Sequence, residues 1–186
     1  MEIYLVRHGK TDWNKVHKAQ GRVDIPLNEE GKKQAEEVAK KLNNIKFDKV
    51  LVSPLKRTIE TCEIITSQDY IIDERLIERD FASFEGKEVT YDLVKKQWDY
   101  KLNTNEGGME TLKDLLKRLN LFNKDLLNYE ENDKILIVSH ACTIKAIRYN
   151  LIGYDENTDF LDFYVENGDV IKIIIEDKKV KNIEII

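Results

Sequence analysis

Three short apolar runs, Glu2 to Val6, Val50 to Val52 and Ile135 to Val138, are rich in β-branched residues, and each gives way at once to polar residues. Runs of this length and makeup read as buried strands. Strands buried on both faces need helices to cover them. Helical patterns do lie between the runs. Ala35, Val38, Ala39 and Leu42 recur at i, i+3, i+4 and i+7 after a plausible Asn28 cap. Ser53 is a good N-cap and Pro54 fits a first helical position, which predicts a second helix with Ile59, Cys62 and Ile65 on one face and Arg57 near its positive end. Leu112, Leu115, Leu116, Leu119 and Leu126 mark a long helix before the Ile135 run, and Ile144, Ile147 and Leu151 mark another directly after it.

The last part of the chain is different. Asp159 to Val165, Val170 to Ile175 and Val180 to Ile186 are strand-like and separated by the turn sequences Asn167-Gly168-Asp169 and Asp177-Lys178-Lys179. The expected fold is therefore α/β: a three-layer α/β/α sandwich with a mostly parallel central sheet and a C-terminal antiparallel meander. At 186 residues the chain suits a single domain over residues 1–186. An edge of the meander is open either to a covering segment or to a second subunit, and the latter would make a homodimer. Residues 81 to 110 are the least regular stretch; there Tyr91, Trp98 and Tyr100 read as packing residues ahead of pocket residues.

Composition narrows the function classes. An apolar fraction of 41% with 35% charged residues fits a soluble globular protein. Cys62 and Cys142 form no paired motif, which points away from disulfides and CxxC sites and toward a reducing cytoplasm. Neither a basic segment followed by an apolar one at Met1 to Arg7 nor any later run of membrane-spanning length is visible, so a cytoplasmic location away from membranes is expected. The formal net charge of -5 argues against a nucleic-acid partner. Any anion site must be a local positive pocket.

Such a pocket can be assembled from strand ends. Arg7 and His8 follow the first run, Ser53 leads to Arg57 after the second, and Ser139 and His140 follow the third. Ligands of open α/β sheets bind beyond the carboxyl ends of the strands, so two histidines and two arginines converge on one rim. Two guanidinium forks suit a phosphate dianion, and a neutral imidazole can attack phosphorus once its other nitrogen is tied to an acceptor. Phosphoryl transfer needs in-line placement and neutralised equatorial oxygens, tasks that Arg7, Arg57, His140 and Asn14 could share without a metal. A proton donor for the leaving oxygen falls in Leu76 to Phe81, with Glu78 ahead of Asp80. Gly9 would let the backbone turn tightly beside His8. His17 is the third histidine, but a metal site with His8 and His140 lacks ligand spacing and an acidic cluster. Each residue alone has an ordinary reading: a core histidine, a helical ion pair, a solvated charged loop. Their joint placement favours the site.

Taken together, Arg7-His8-Gly9-Lys10-Thr11-Asp12-Trp13-Asn14, Gln20-Gly21-Arg22 through Leu27, Ser53-Pro54-Leu55-Lys56-Arg57 through Thr61, and Ser139-His140-Ala141 resemble the histidine phosphatase superfamily, the group that includes phosphoglycerate mutases. The resemblance runs across most of the chain. It implies a phosphohistidine at His8, a proton donor at Glu78, phosphate ligands at Arg7, Arg57 and His140, substrate contacts from Asn14, Gln20, Gly21 and Ala141, and no cofactor. Gly108-Met109-Glu110-Thr111 with Arg118 is similar to a further family segment. Lys10, Ala82, Ala141 and Met109 depart from the usual pattern. Phosphoglycerate mutases are generally longer, with a tail that shields the phosphoenzyme. Here the span from Glu78 to His140 is short, so the expectation is hydrolysis of a small phosphorylated metabolite by the small phosphatase branch. The alternatives are a mutase-type isomerase and a non-catalytic phosphate-binding module.

Overall fold

The computed structural model describes residues 1–186. Its centre is a six-stranded sheet in the order β3-β2-β4-β1-β5-β6. The strands are β1 (Glu2–Arg7), β2 (Lys49–Val52), β3 (Ile71–Ile72), β4 (Lys134–Ser139), β5 (Val170–Glu176) and β6 (Lys179–Ile185). The helices are α1 (Asp12–Lys15), α2 (Glu29–Leu42), α3 (Lys56–Ile65), α4 (Tyr91–Gln97), α5 (Leu112–Leu126) and α6 (Ala141–Ile152). Strands β1 to β4 pair in parallel; β5 pairs antiparallel with β1 and with β6.

The period of two along each strand sorts the core into two slabs. Ile3, Leu5, Leu51, Ile135 and Ile137 pack with Leu112, Leu115, Leu116 and Leu119 of α5 and Ile144 and Ile147 of α6. Tyr4, Val6, Val50, Val52, Leu136 and Val138 pack on the opposite face with Val38 and Leu42 of α2 and Cys62 of α3. This is the three-layer arrangement that the strand-helix alternation predicts. Leu119 is fully buried, so truncation to alanine there costs about 2–5 kcal/mol. No helix is long and apolar enough to cross a membrane.

Helix α2 begins as expected: Asn28 caps it by accepting from the Gly31 N–H. Helix α3 does not. It starts at Lys56 with Leu55 at the cap position and no side-chain cap bond, because the Ser53 hydroxyl is drawn to His140 at 2.7 Å and Pro54 lies outside the helix.

The terminal meander has two strands, not three. Residues 159 to 165 form turns and irregular chain, and β5 takes the place beside β1. Phe160 and Val165 are buried in the core instead. Phe160 stacks between Trp98 and Tyr100, with ring centroids at 6.4 and 5.9 Å. The β5–β6 hairpin turns through Asp177 and Lys178, both at positive φ (50° and 58°). That is the pair of left-handed residues a two-residue hairpin of matching twist requires, here without glycine.

Candidate active site

The parallel register brings the strand ends level. Arg7 of β1 lies opposite Ser139 of β4, and Val52 of β2 opposite Val138. The next residues, His8, Ser53 and His140, therefore leave the sheet on one edge. The His8 and His140 rings meet edge to face with centroids 5.1 Å apart. Beside His8, Gly9 serves close approach, not the tight turn its sequence predicts. A Cβ there would lie 2.3 Å from the Gly31 carbonyl oxygen.

His8 is buried. Its Nδ1 lies 2.7 Å from the Gly9 carbonyl oxygen. A carbonyl only accepts, so Nδ1 carries the proton and Nε2 keeps its lone pair. Burial, with Arg57 and Arg7 nearby, holds the imidazole well below its usual 6.5. The ring is thus neutral at pH 7, with its unprotonated nitrogen being Nε2.

Arg57 is fully buried. It donates from Nη1 to the Val23 carbonyl at 2.8 Å, from Nη2 to the Gly21 carbonyl at 2.7 Å and from Nε to His140 Nδ1 at 3.3 Å. Two of its five N–H donors remain for a ligand. Burial lowers its pKa to about 10, leaving it charged at neutral pH. Because Arg57 donates to His140 Nδ1, the proton of His140 sits on Nε2 and points to Ser53 Oγ. Burial and Arg57 hold His140 well below 6.5 as well. Arg7 donates from Nη1 to the Val165 carbonyl, but its Nε is buried without a partner. An unpaired buried donor costs about 1–3 kcal/mol.

Glu78 caps the N-terminus of α6. Its Oε2 accepts from the Cys142 N–H at 3.2 Å, and Oε1 from the Thr143 N–H at 3.2 Å and the Arg79 N–H at 2.8 Å. The helix needs this, since its own N-cap residue, His140, makes no side-chain cap bond. The loop is braced from behind: Arg22 Nε donates to the Glu78 carbonyl, while Arg118 donates to the Ile77 carbonyl and forms a bidentate pair with Glu110 at 2.9 and 2.8 Å.

One cavity of about 460 Å³ is lined by Arg7, His8, Arg57 and Glu78, and also by Asn14, Gln20, Gly21 and Ala141. The cavity thus gathers eight of the nine residues expected from the sequence; His140 lies directly behind Arg57. Asn14 Oδ1 is tied to the Thr11 N–H at 3.1 Å, which orients its amide. Gln20 Oε1 accepts from Thr11 Oγ1 at 2.9 Å. Asp80 and His17 do not line the cavity. Asp80 faces Arg22 at 3.5 Å, and His17 sits in a neighbouring cleft with Lys10 and Gln34. Of the residues that depart from the family pattern, Lys10 pairs with Glu30 at the surface, Ala82 sits at φ 45° and Met109 is buried in the core.

Three residues escaped the sequence reading. Ser53 reads in the sequence as a helix cap, and Thr143 and Lys145 carry no signal there that sets them apart. Lys145 lies buried against the cavity.

Comparison with known proteins follows the same lines. The family model described as histidine phosphatase superfamily (branch 1) matches residues 3–185. The chain is 36% identical over 157 residues to the Uncharacterized phosphatase PhoE of Bacillus subtilis, covering 82% of this chain and 78% of that protein. It is 32% identical over 162 residues to the Probable phosphoglycerate mutase GpmB of Proteus mirabilis, covering 82% and 75%. A phosphoserine phosphatase mutant from Entamoeba histolytica, solved in complex with phosphoserine, superposes with a TM-score of 0.84 at 26% identity, covering 98% of this chain and 95% of that one. The chain belongs to the histidine phosphatase superfamily, branch 1.

Proposed function

We propose that residues 1–186 act as one catalytic domain that hydrolyses small phosphate monoesters through a phosphohistidine at His8, without a metal. The observation that carries this reading is the fixed tautomer of His8: Nδ1–H is spent on the Gly9 carbonyl, so a neutral Nε2 is left as the nucleophile beside two arginines.

The steps follow from the donors available. His8 Nε2 attacks phosphorus in line, and the ester P–O bond breaks. Arg7, Arg57 and Asn14 hold the equatorial oxygens, the arginines supplying the charge that a cation would otherwise bring. His140 keeps the Arg57 guanidinium in place by accepting from its Nε at Nδ1, while Ser53 holds the Nε2–H on the other side of the ring. Glu78 as the carboxylic acid protonates the leaving oxygen. The resulting carboxylate takes a proton from water as that water attacks the phosphohistidine, releasing inorganic phosphate and regenerating Nε2. Gln20, Gly21 and Ala141 shape the surrounding wall.

The similarity to a mutase relative favours a second reading, return of the phosphoryl group to the substrate. One assay separates them. In chelator-treated buffer, hydrolysis predicts phosphate release from monoesters in step with alcohol formation and little exchange between 2- and 3-phosphoglycerate. Rapid exchange with little phosphate release, or loss of turnover in chelator, contradicts the proposal.

A further inference from the structure

The wall of the cavity away from the strand ends is largely apolar, formed by Phe81, Val94, Trp98, Leu161, Phe163 and Val165. Lys145 is the buried cation in it. It lies on α6 four residues past Ala141, on the same helix face and so about 6 Å further along the axis, away from the end that Glu78 caps. Only 7% of it is exposed. Its Nζ stands 4.1 Å from the centroid of the Trp98 ring and makes neither a hydrogen bond nor an ion pair with the protein.

The charged groups around it do not satisfy it. Asp159 and Asp162 act on it only at long range, with Arg148 opposing them. Asp162 is already engaged by the Tyr149 hydroxyl and by Arg148 at 3.8 Å. Contact with an indole face replaces only part of the hydration an ammonium loses on burial. Burial accordingly pulls the amine down to about 8. An unmatched ammonium of this kind, set in an apolar wall, marks where a ligand's polar end is read.

We propose that Lys145 binds a second anionic group on the leaving-group side of the substrate. The preferred substrates are then phosphate monoesters of short hydroxy compounds that also bear a carboxylate or a further phosphate. This rests on the phosphatase reading for its catalytic meaning, but the subsite itself is testable by binding alone.

The test uses non-hydrolysable probes on the intact chain. Calorimetry would compare alkylphosphonates with ω-carboxyalkylphosphonates and with bisphosphonates of equal length, across spacers of about two to five atoms. At one spacer length the wild type should bind an anion-bearing probe at least about tenfold more tightly than its alkyl match, equivalent to about 1.4 kcal/mol. The carboxylate and bisphosphonate arms show which anion is read. In Lys145→Met, or Lys145→Gln if the first variant does not fold, the preference should vanish while alkylphosphonate affinity holds. Equal wild-type binding at every length overturns the inference. So does equal weakening of all probes in the variants, which would make Lys145 a structural prop for Trp98. If the matching phosphate esters bind with the preference but are not hydrolysed, the phosphatase reading fails and the subsite stands.

Discussion

The two ends of the cavity are built differently. At the phosphate end, Arg7, His8, Ser53 and His140 leave adjacent parallel strands in register, and each side chain is anchored by a bond to backbone or to another site residue. At the leaving-group end, α4, the 81 to 110 stretch and the 159 to 165 segment meet through aromatic stacking on Phe160, with Lys145 and Gln97 left unpaired among them. A strand end can be moved only by moving the sheet, whereas a loop can be changed without unfolding the protein. In the proposed reading, the strand ends hold the phosphoryl group, while α4, α6 and the loops around them meet the leaving group. The difference between the two ends can be tested in three ways, beginning with the largest effect.

Glu78 joins the two ends, since its carboxylate both faces the cavity and caps α6. Glu78→Gln should lower kcat about 10²- to 10⁴-fold on alkyl phosphates. The loss should be much smaller on p-nitrophenyl phosphate, whose leaving group needs no proton. An equal loss of kcat/KM on both, a parameter that reports phosphohistidine formation and not its shared hydrolysis, would contradict the proton-donor role.

The phosphate end should also make stability depend on pH. His8 and His140 have folded pKa values held below 6.5, so the unfolded chain binds more protons in acid. Their contribution is complete above 6.5 and is lost as pH falls from there toward the folded values. The slope is up to about 1.4 kcal/mol per pH unit for each imidazole. The carboxylates with lowered values, Glu2, Glu29 and Asp73, act below about 4.5, 4.5 and 3.8, so urea titrations between pH 6.5 and 5 isolate the histidines. His140→Asn should flatten that slope, and an unchanged slope would contradict the buried neutral state.

The smallest effect belongs to the leaving-group end. Tyr91 lines the cavity yet is 75% exposed. Tyr91→Ala should leave stability within about 0.5 kcal/mol and leave inhibition by inorganic phosphate unchanged, while shifting the ranking of KM among esters. A change in phosphate inhibition would show that the two ends are not separate.

The same division explains what could be read from the sequence. The apolar runs, the Asn28 cap and the leucine stripe of α5 are local signals, and strand-helix alternation led to the sheet and its carboxyl edge. His8, Arg7, Arg57 and His140 were legible because each stands at a fixed offset from a strand. Residues that depend on tertiary approach were not. Ser53 looked like a cap because its hydroxyl was free in the sequence, and the partner that claims it is 87 residues away. Leu161, Phe163 and Val165 alternate like a strand, but Phe160 and Val165 are claimed by the core and the segment pairs with no strand. Lys145 has the spacing of any helical lysine, and only the packing of Trp98 over it reveals its burial.

The central claim is that His8 Nε2 carries the phosphoryl group. Rapid alkaline quench of wild-type protein with a ³²P-labelled monoester, followed by peptide mapping and ³¹P NMR, tests it directly. The expected product is an acid-labile phosphoramidate on His8 at Nε2, approaching one per chain at saturation and absent in His8→Ala, whose turnover falls on the order of 10⁴-fold or more. Label on another residue, phosphorylation at Nδ1, or turnover that persists in His8→Ala would contradict it.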